Sequence, residues 1–335
     1  LAACFPFFED DCYEEYSEEY CDSEYYDDED FDDEEFDNEY DDEEYGNNDD
    51  EYDAEETAQD EYEADQNEEM AEIISSAGLS IESIPEYADP AFEVFSQYID
   101  VFGVGVYATS DIPESKVFHA AGVMAQYLDN NEDGLPDDPD VIRALQAKQA
   151  SIYIFPRPDS RAEEDFFDGI EPLLDSGKLA LQPCYGEEIV PNGAARGEFD
   201  ATLEEIFHLI SNTGYAYAYP EAFGERRGTA IADAMDEARG GYFENIPGTY
   251  PAGAWFTYDD KTCEYDCMIS EYHYWAITSL LGAQDFSGRF DEIGHEWRLN
   301  TPEKVKSGDP AIYALLTNPQ YHQPSVLPDG NYQPE

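Results

Sequence analysis

The chain has 335 residues, with 81 Asp or Glu against 15 Lys or Arg and a formal net charge of −66. This charge excludes nucleic acid and anionic membrane surfaces as partners, because both are polyanions. No stretch approaches the roughly 20 apolar residues that a spanning helix needs, so no membrane span is expected.

The first part of the chain is the most acidic. Residues 1–70 contain 35 Asp or Glu, 14 Phe or Tyr and no Lys or Arg. Acidic disordered tails are usually poor in aromatic residues, and a halophilic source would explain the acidity but not these rings. We interpret residues 1–70 as a low-complexity, tyrosine-rich acidic arm. It is expected to bind cations and to self-associate or bind a basic extracellular partner.

Residues 71–335 have the composition of a globular domain, and their apolar patterns predict its elements in chain order. These are a buried strand at 101–109, helices at 113–128 and 141–148, a strand at 151–155, weaker strands at 179–182 and 189–190, and helices at 200–212, 229–239 and 270–281. Gly214 is expected to end the helix at 200–212, and the Pro-rich residues after 301 to be irregular. The order predicts an α+β domain.

The cysteines point to an extracellular or cell-surface protein. Their even number, six, favours disulfides and secretion. Cys263 and Cys267 are four residues apart and could close a local loop. The opening residues 1–4 resemble a bacterial lipobox, but lipoprotein processing leaves Cys first, so a plain secreted chain is expected.

An acidic loop follows the first predicted helix. Residues 129–140 fit the EF-hand spacing, with oxygen ligands at positions 1, 3, 5, 9 and 12, a carbonyl at 7 and Gly134 at 6. The ligands would be Asp129, Asn131, Asp133, the Leu135 carbonyl, Asp137 and Asp140. Because Pro136 and Asp140 depart from the EF-hand pattern, the loop resembles the single calcium loops of extracellular modules. We predict a structural calcium ion; a solvated acidic turn is the alternative.

A second candidate site lies on the helix at 200–212. Its apolar residues share one face, whereas Glu204, Glu205 and His208 form a separate polar stripe. Glu204 and His208 are four residues apart, so they could share a metal ion. The spacing is that of the zincin HExxH motif with Glu in place of the first His. The alternative is a polar helix face with a Glu–His ion pair.

This helix, the preceding strands and the later segment around Glu271 together resemble the lethal-factor-like branch of Glu-zincins. The resemblance covers about residues 101–285 and implies a zincin-like domain with a mixed sheet and several helices. It implies Glu271 as the third zinc ligand, Glu205 as the general base and Tyr265 as the group that stabilises the oxyanion. A thermolysin-type arrangement would instead use Glu237 or Asp236 as the third ligand.

These features predict a secreted, calcium-binding structural or surface-assembly protein built on an inactive zincin-like domain. Inactivity is expected because Glu in place of the first His adds negative charge and lowers the Lewis acidity of a bound zinc ion. The alternative is an active secreted zinc metallopeptidase whose acidic arm is a propeptide or an anchoring segment.

Overall fold

The computed structural model describes residues 78–85, 88–174, 177–191 and 193–334. The acidic arm at residues 1–70 lies outside the described residues, as do Cys4, Cys12 and Cys21. Within the described residues the architecture is α+β, as predicted. None of the described helices has both the length and the apolar character that crossing a membrane requires.

A four-stranded mixed sheet lies at the centre of the domain. Its strands, in spatial and chain order, are β1 (Gln97–Val101), β2 (Val104–Ala108), β3 (Ser151–Phe155) and β4 (Leu181–Tyr185). β1 is antiparallel to β2, whereas β2, β3 and β4 are parallel. The parallel connections contain α1 (Glu114–Leu128), α2 (Pro139–Ala147) and α3 (Arg161–Leu174). Every residue of β2, β3 and β4 is buried, as in sheets covered on both faces.

One face of the sheet carries an aromatic cluster. Tyr107 and Tyr153 stack with 5.5 Å between ring centroids, and Phe92, Phe95 and Phe166 pack around them. The other face contributes aliphatic residues to a larger core shared with the remaining helices. The alternation of these two sets along each strand follows from the two-residue period of a β-strand.

The buried strand expected at 101–109 is present over Val104–Ala108, but its predicted start is wrong because the chain reverses direction at residues 102 and 103. Phe102 and Gly103 have φ angles of 53° and 79° and form the two-residue turn between β1 and β2. Two-residue hairpin turns of type I′ need positive φ at both central positions. The apolar run therefore contains a hairpin turn, and Gly103 is the one residue in the run that indicates it.

The helix predicted at 200–212 is longer than expected and changes its winding. It begins as α4 (Thr202–Leu209), continues as a π-helical turn (Ile210–Tyr215) and ends with Ala216–Ala218. Gly214 does not end it, contrary to the prediction. The Ala216 N–H donates to the Ser211 carbonyl, five residues back. π-helical turns inside α-helices are frequent at functional sites.

Two helices complete the larger core. α5 (Ala230–Arg239) starts after a Thr229 cap and stops at Gly240 with φ 80°, as its sequence predicts. α6 (Tyr265–Leu281) starts earlier than expected, and the predicted local disulfide between Cys263 and Cys267 is present at its start.

The C-terminal part is more regular than expected. After α7 (Arg289–Ile293) come α8 (Pro302–Gly308) and α9 (Pro310–Leu316), so the expectation of an irregular segment is wrong. Thr301 and Asp309 cap these helices, and Pro fits the first helical position because its missing N–H is not needed there. The remaining elements are short turns at Pro90–Val94, Gly193–Arg196, Pro220–Phe223 and Pro319–Tyr321.

Candidate metal centre

Two packed helices bring Glu204, His208 and Glu271 together. Glu204 and His208 lie one turn apart on α4, and Glu271 lies on α6. One ligand atom from each side chain lies within 4.8 Å of those of the other two. His208 Nε2 is 3.8 Å from Glu271 Oε1. Two atoms that share a tetrahedral zinc ion at ~2.1 Å are roughly 3.4 Å apart, so this spacing suits a shared ion better than a direct hydrogen bond.

His208 is the most informative member of this group. Its side chain is 2 % exposed, and within the described residues its Nε2 has no hydrogen-bond partner. A buried polar atom left unpaired costs ~1–3 kcal/mol. Burial lowers the pKa of His208 to about 4, so the imidazole is neutral near pH 7. A neutral imidazole is the form that ligates metal ions.

The neighbouring carboxylates are unfavourably placed without a cation. Partial burial raises the pKa of Glu204 to about 7, although a hydrogen bond with Tyr274 and the charge of Arg289 oppose this. Burial, followed by the charge of Glu204, raises the pKa of Glu205 well above its usual range. Gln182 Nε2 donates to Glu205 Oε2 at 2.6 Å and fixes that carboxyl. A nearby cation would favour the ionised form of both groups.

The carboxylate side of this group borders a cavity of about 310 Å³, whereas His208 is not among the described residues that line it. Glu204, Glu205 and Glu271 belong to its lining, together with Trp275 and Arg289. Among the fifteen described residues that line it, eight are Asp or Glu, and Arg289 is the one Lys or Arg. The cavity therefore favours a cation beside the Glu204–His208–Glu271 group.

A second set of possible ligands, Asp259, His295 and Glu296, lines the same cavity. Asp259 and His295 are exposed, and His295 Nε2 pairs with Glu296 at 3.4 Å. Unlike the group around His208, this set contains no buried histidine nitrogen that lacks a hydrogen-bond partner.

Three residues named from the sequence lie elsewhere. The Tyr265 hydroxyl donates to Asp236 Oδ2 at 3.1 Å, and Tyr265 is not among the residues that line the cavity. Glu237 is exposed on α5, and neither it nor Asp236 belongs to the Glu204–His208–Glu271 group. Gln182 and Arg289, by contrast, belong to the site but come from β4 and α7, where no local motif indicates them.

The acidic loop after α1 is tightly hydrogen-bonded. Gly134 has a φ of 86°, and its N–H donates to Asp129 Oδ2 at 2.8 Å. The side chains of Asn131 and Asp133 accept from the N–H groups two residues further on, those of residues 133 and 135. Asn131 Nδ2 also donates to Asp137 Oδ1 at 2.9 Å. The structure thus brings four of the six proposed calcium ligands into one network.

The other two proposed ligands are Asp140 and the Leu135 carbonyl. Asp140 forms an ion pair with Arg143 on the first turns of α2, with both side chains about half exposed. The Leu135 N–H donates to Asp133 Oδ1, and the Leu135 side chain is exposed.

A C-terminal segment, residues 325–333, lies across the end of α1 and this loop. Asn130 Oδ1 accepts from the N–H groups of residues 325 and 326, each at 2.8 Å. Gln126 Oε1 accepts from those of residues 329 and 330 at 2.9 and 2.8 Å. The Tyr332 hydroxyl donates to Asp129 Oδ2 at 2.6 Å. Two amide side chains, Gln126 on the last turn of α1 and Asn130 just after it, thus bind the backbone of this segment.

No family model, curated protein or solved structure matches the chain. The proposed function therefore rests on the residues of the site.

Proposed function

We propose that Glu204, His208 and Glu271 bind one divalent metal ion, and that the domain is a metal-dependent peptidase with Glu205 as its general base. The observation that carries the metal site is the buried, unpaired Nε2 of His208 beside Glu271. Catalytic zinc sites commonly use three protein ligands and keep one position open. The donor set of one nitrogen and two oxygens fits this pattern.

The general base is argued from its position. Glu205 follows Glu204 on the same helix, lines the cavity and is held by Gln182. A carboxylate beside the metal ligands can accept the proton of the attacking water. A bound divalent ion would supply the Lewis acidity that makes water easier to deprotonate. The peptide bond as substrate rests on the resemblance of this helix and Glu271 to Glu-zincins.

The test combines metal content with cleavage. Full-length protein purified without chelator is analysed for bound metal and incubated with casein and a peptide library. We expect about one zinc per chain and cleavage that Glu205→Gln abolishes while the zinc remains. Asp266→Asn, an exposed acid on α6, is the matched control and should change neither. A protein without zinc, or one in which Glu205→Gln still cleaves, would contradict the proposal.

A second function is supported by the hydrogen-bonded loop at residues 129–137. We propose that this loop binds a structural calcium ion, and that the protein is a secreted, calcium-dependent assembly protein. The converging side chains of Asp129, Asn131, Asp133 and Asp137 support the calcium site. Assembly is tested by measuring light scattering when calcium is added to the full-length protein and to a variant that lacks residues 1–70. Scattering that does not depend on calcium, or that survives loss of residues 1–70, would rule it out.

A further inference from the structure

Arg289 occupies an unusual position in the acidic cavity. It begins α7, is 7 % exposed and lines the cavity together with Glu204, Glu205 and Glu271. Its guanidinium carbon lies 5.1 Å from the ring centroid of Phe199 and 5.8 Å from that of Trp275. Stacking on aromatic rings holds a guanidinium in a fixed plane.

Arg289 uses two of its three guanidinium nitrogens in hydrogen bonds to described residues. Nε donates to Gln284 Oε1 at 2.8 Å, and Nη1 donates to Glu292 Oε2 at 3.1 Å. Within the described residues Nη2 makes no hydrogen bond. The Glu292 side chain is 62 % exposed, so this ion pair contributes little by itself. Arg289 thus holds a positive charge at the cavity; it favours the ionised form of Glu204 but forms no salt bridge with Glu204 or Glu205 among the described residues.

Peptide hydrolysis creates a need for such a charge. The water oxygen bonds to the carbonyl carbon, and the water proton passes to Glu205 and then to the amine that leaves as the C–N bond breaks. Between these events the former carbonyl oxygen carries negative charge. Because eight of the described residues that line the cavity carry carboxyl groups, that charge is unfavourable unless fixed positive groups lie beside it. The proposed metal ion would be one such group, and the Arg289 guanidinium is suited to be a second.

We propose that Arg289 is a catalytic residue that donates from Nη2 to the carbonyl oxygen as this oxygen becomes negative. The assignment rests on the proposed peptidase function. It gives Arg289 the role that the sequence resemblance gives Tyr265, whose hydroxyl instead binds Asp236. Arg289 is suited to the role because its position is fixed before the substrate binds.

The test measures steady-state kinetics on zinc-loaded, full-length protein with one peptide that the wild type cleaves. Removing a single oxyanion donor typically lowers kcat by about 10²–10³-fold. We expect Arg289→Gln to lower kcat by about this factor with a KM changed by less than about threefold, and Arg289→Lys to recover part of the loss. Arg298→Gln, an exposed arginine nearby, is the control and should match the wild type.

A phosphinic analogue of the same peptide gives a readout that does not depend on turnover. It carries anionic oxygens in place of the carbonyl, so Arg289→Gln should weaken its binding by about the factor by which kcat falls. If Arg289→Gln does not fold, Arg289→Lys alone decides, because it keeps the charge but loses the planar fork. A wild-type kcat in Arg289→Lys, or a rise in KM alone in either variant, overturns the assignment. A wild type without zinc or cleavage overturns the peptidase proposal and this inference together.

Discussion

In the side-chain orientation that satisfies its hydrogen bonds, the amide of Asn212 donates to the backbone carbonyl of His208 at 3.0 Å and to Ser270 Oγ at 2.8 Å. His208 is a candidate ligand on α4, and Ser270 precedes the candidate ligand Glu271 on α6. Asn212 itself lies in the π-helical turn. The widened turn thus places one amide between the two ligand-bearing helices, although Asn212 binds no metal itself.

Asn212→Ala should weaken zinc binding about tenfold, because groups that orient metal ligands typically contribute 10–100-fold to affinity. Competition with a chromophoric chelator measures the dissociation constant. The control is Gln146→Ala, which removes another half-buried amide that binds a backbone carbonyl, that of Phe102. Equal zinc affinities in the two variants would show that the bridge has no positioning role.

Direct ligand substitutions should have larger effects. His208→Ala and Glu271→Gln should each lower zinc affinity by more than about 100-fold, because each removes one of three donors. The titration is done with excess calcium present, so that the acidic arm is already saturated with cations. Asp266→Asn on the same helix as Glu271 should bind zinc like the wild type. Retention of stoichiometric zinc by His208→Ala would remove the proposed centre.

Glu225 should make the domain less stable as the pH rises. Burial raises its pKa to about 8, although a hydrogen bond from Ser270 Oγ opposes this. Between the ordinary Glu pKa of ~4.3 and about 8, the folded state holds a proton that the unfolded state has lost. The free energy of unfolding therefore falls as the pH rises through this window, and the loss is complete above it.

Glu225→Gln should remove this loss, because the amide does not ionise. Urea unfolding at about pH 5, 7 and 9 should show the stability of the variant rising relative to that of the wild type as the pH rises, by up to roughly 4 kcal/mol in total. Glu221→Gln, at an 84 % exposed side chain, is the control and should show no such trend. A difference between Glu225→Gln and wild type that stays constant with pH contradicts the linkage.

Calcium should stabilise the domain through the loop at residues 129–137. A ligand present at ten times its dissociation constant adds roughly 1.4 kcal/mol, which thermal unfolding detects as a rise in Tm. Asp129→Asn should lose this rise, because Asp129 is fully buried at the centre of the network. Asp140→Asn should keep most of it, since Asp140 pairs with Arg143. Equal calcium responses in the two variants would contradict the placement of the ion.

Elements set by local signals could be predicted from the sequence. The strand at Ser151–Phe155 and the capped helix α5 match their predicted positions, because apolar runs, caps and glycine stops act within a few residues. Gly103 and Gly214 show the limit of this reasoning. Gly103 lies in the turn that reverses the chain, whereas Gly214 lies inside a helix and packs against Val141 and Leu145. Only the tertiary contacts distinguish the two positions.

The residues of the candidate site likewise fall into those that the local sequence indicates and those that only tertiary packing brings together. Glu204, Glu205 and His208 follow from the spacing of a single helix, and the resemblance to Glu-zincins added Glu271. Arg289 and Gln182 could not be predicted, because α7 brings Arg289 to the cavity and β4 brings Gln182 to Glu205 from distant parts of the chain. α3 is also absent from the elements predicted from the sequence. Its acidic surface and internal Pro172 obscure the apolar spacing of the buried residues Phe166 and Ile170.

The segment at residues 325–333 sets an order of events during synthesis. Gln126 and Asn130 leave the ribosome about 200 residues before the backbone groups they bind. At roughly 5–20 residues per second, this interval lasts about 10–40 s. The acidic loop is therefore synthesised well before the segment that covers it. Nascent chains stalled before residue 325 should be cleaved in this loop more readily than released protein.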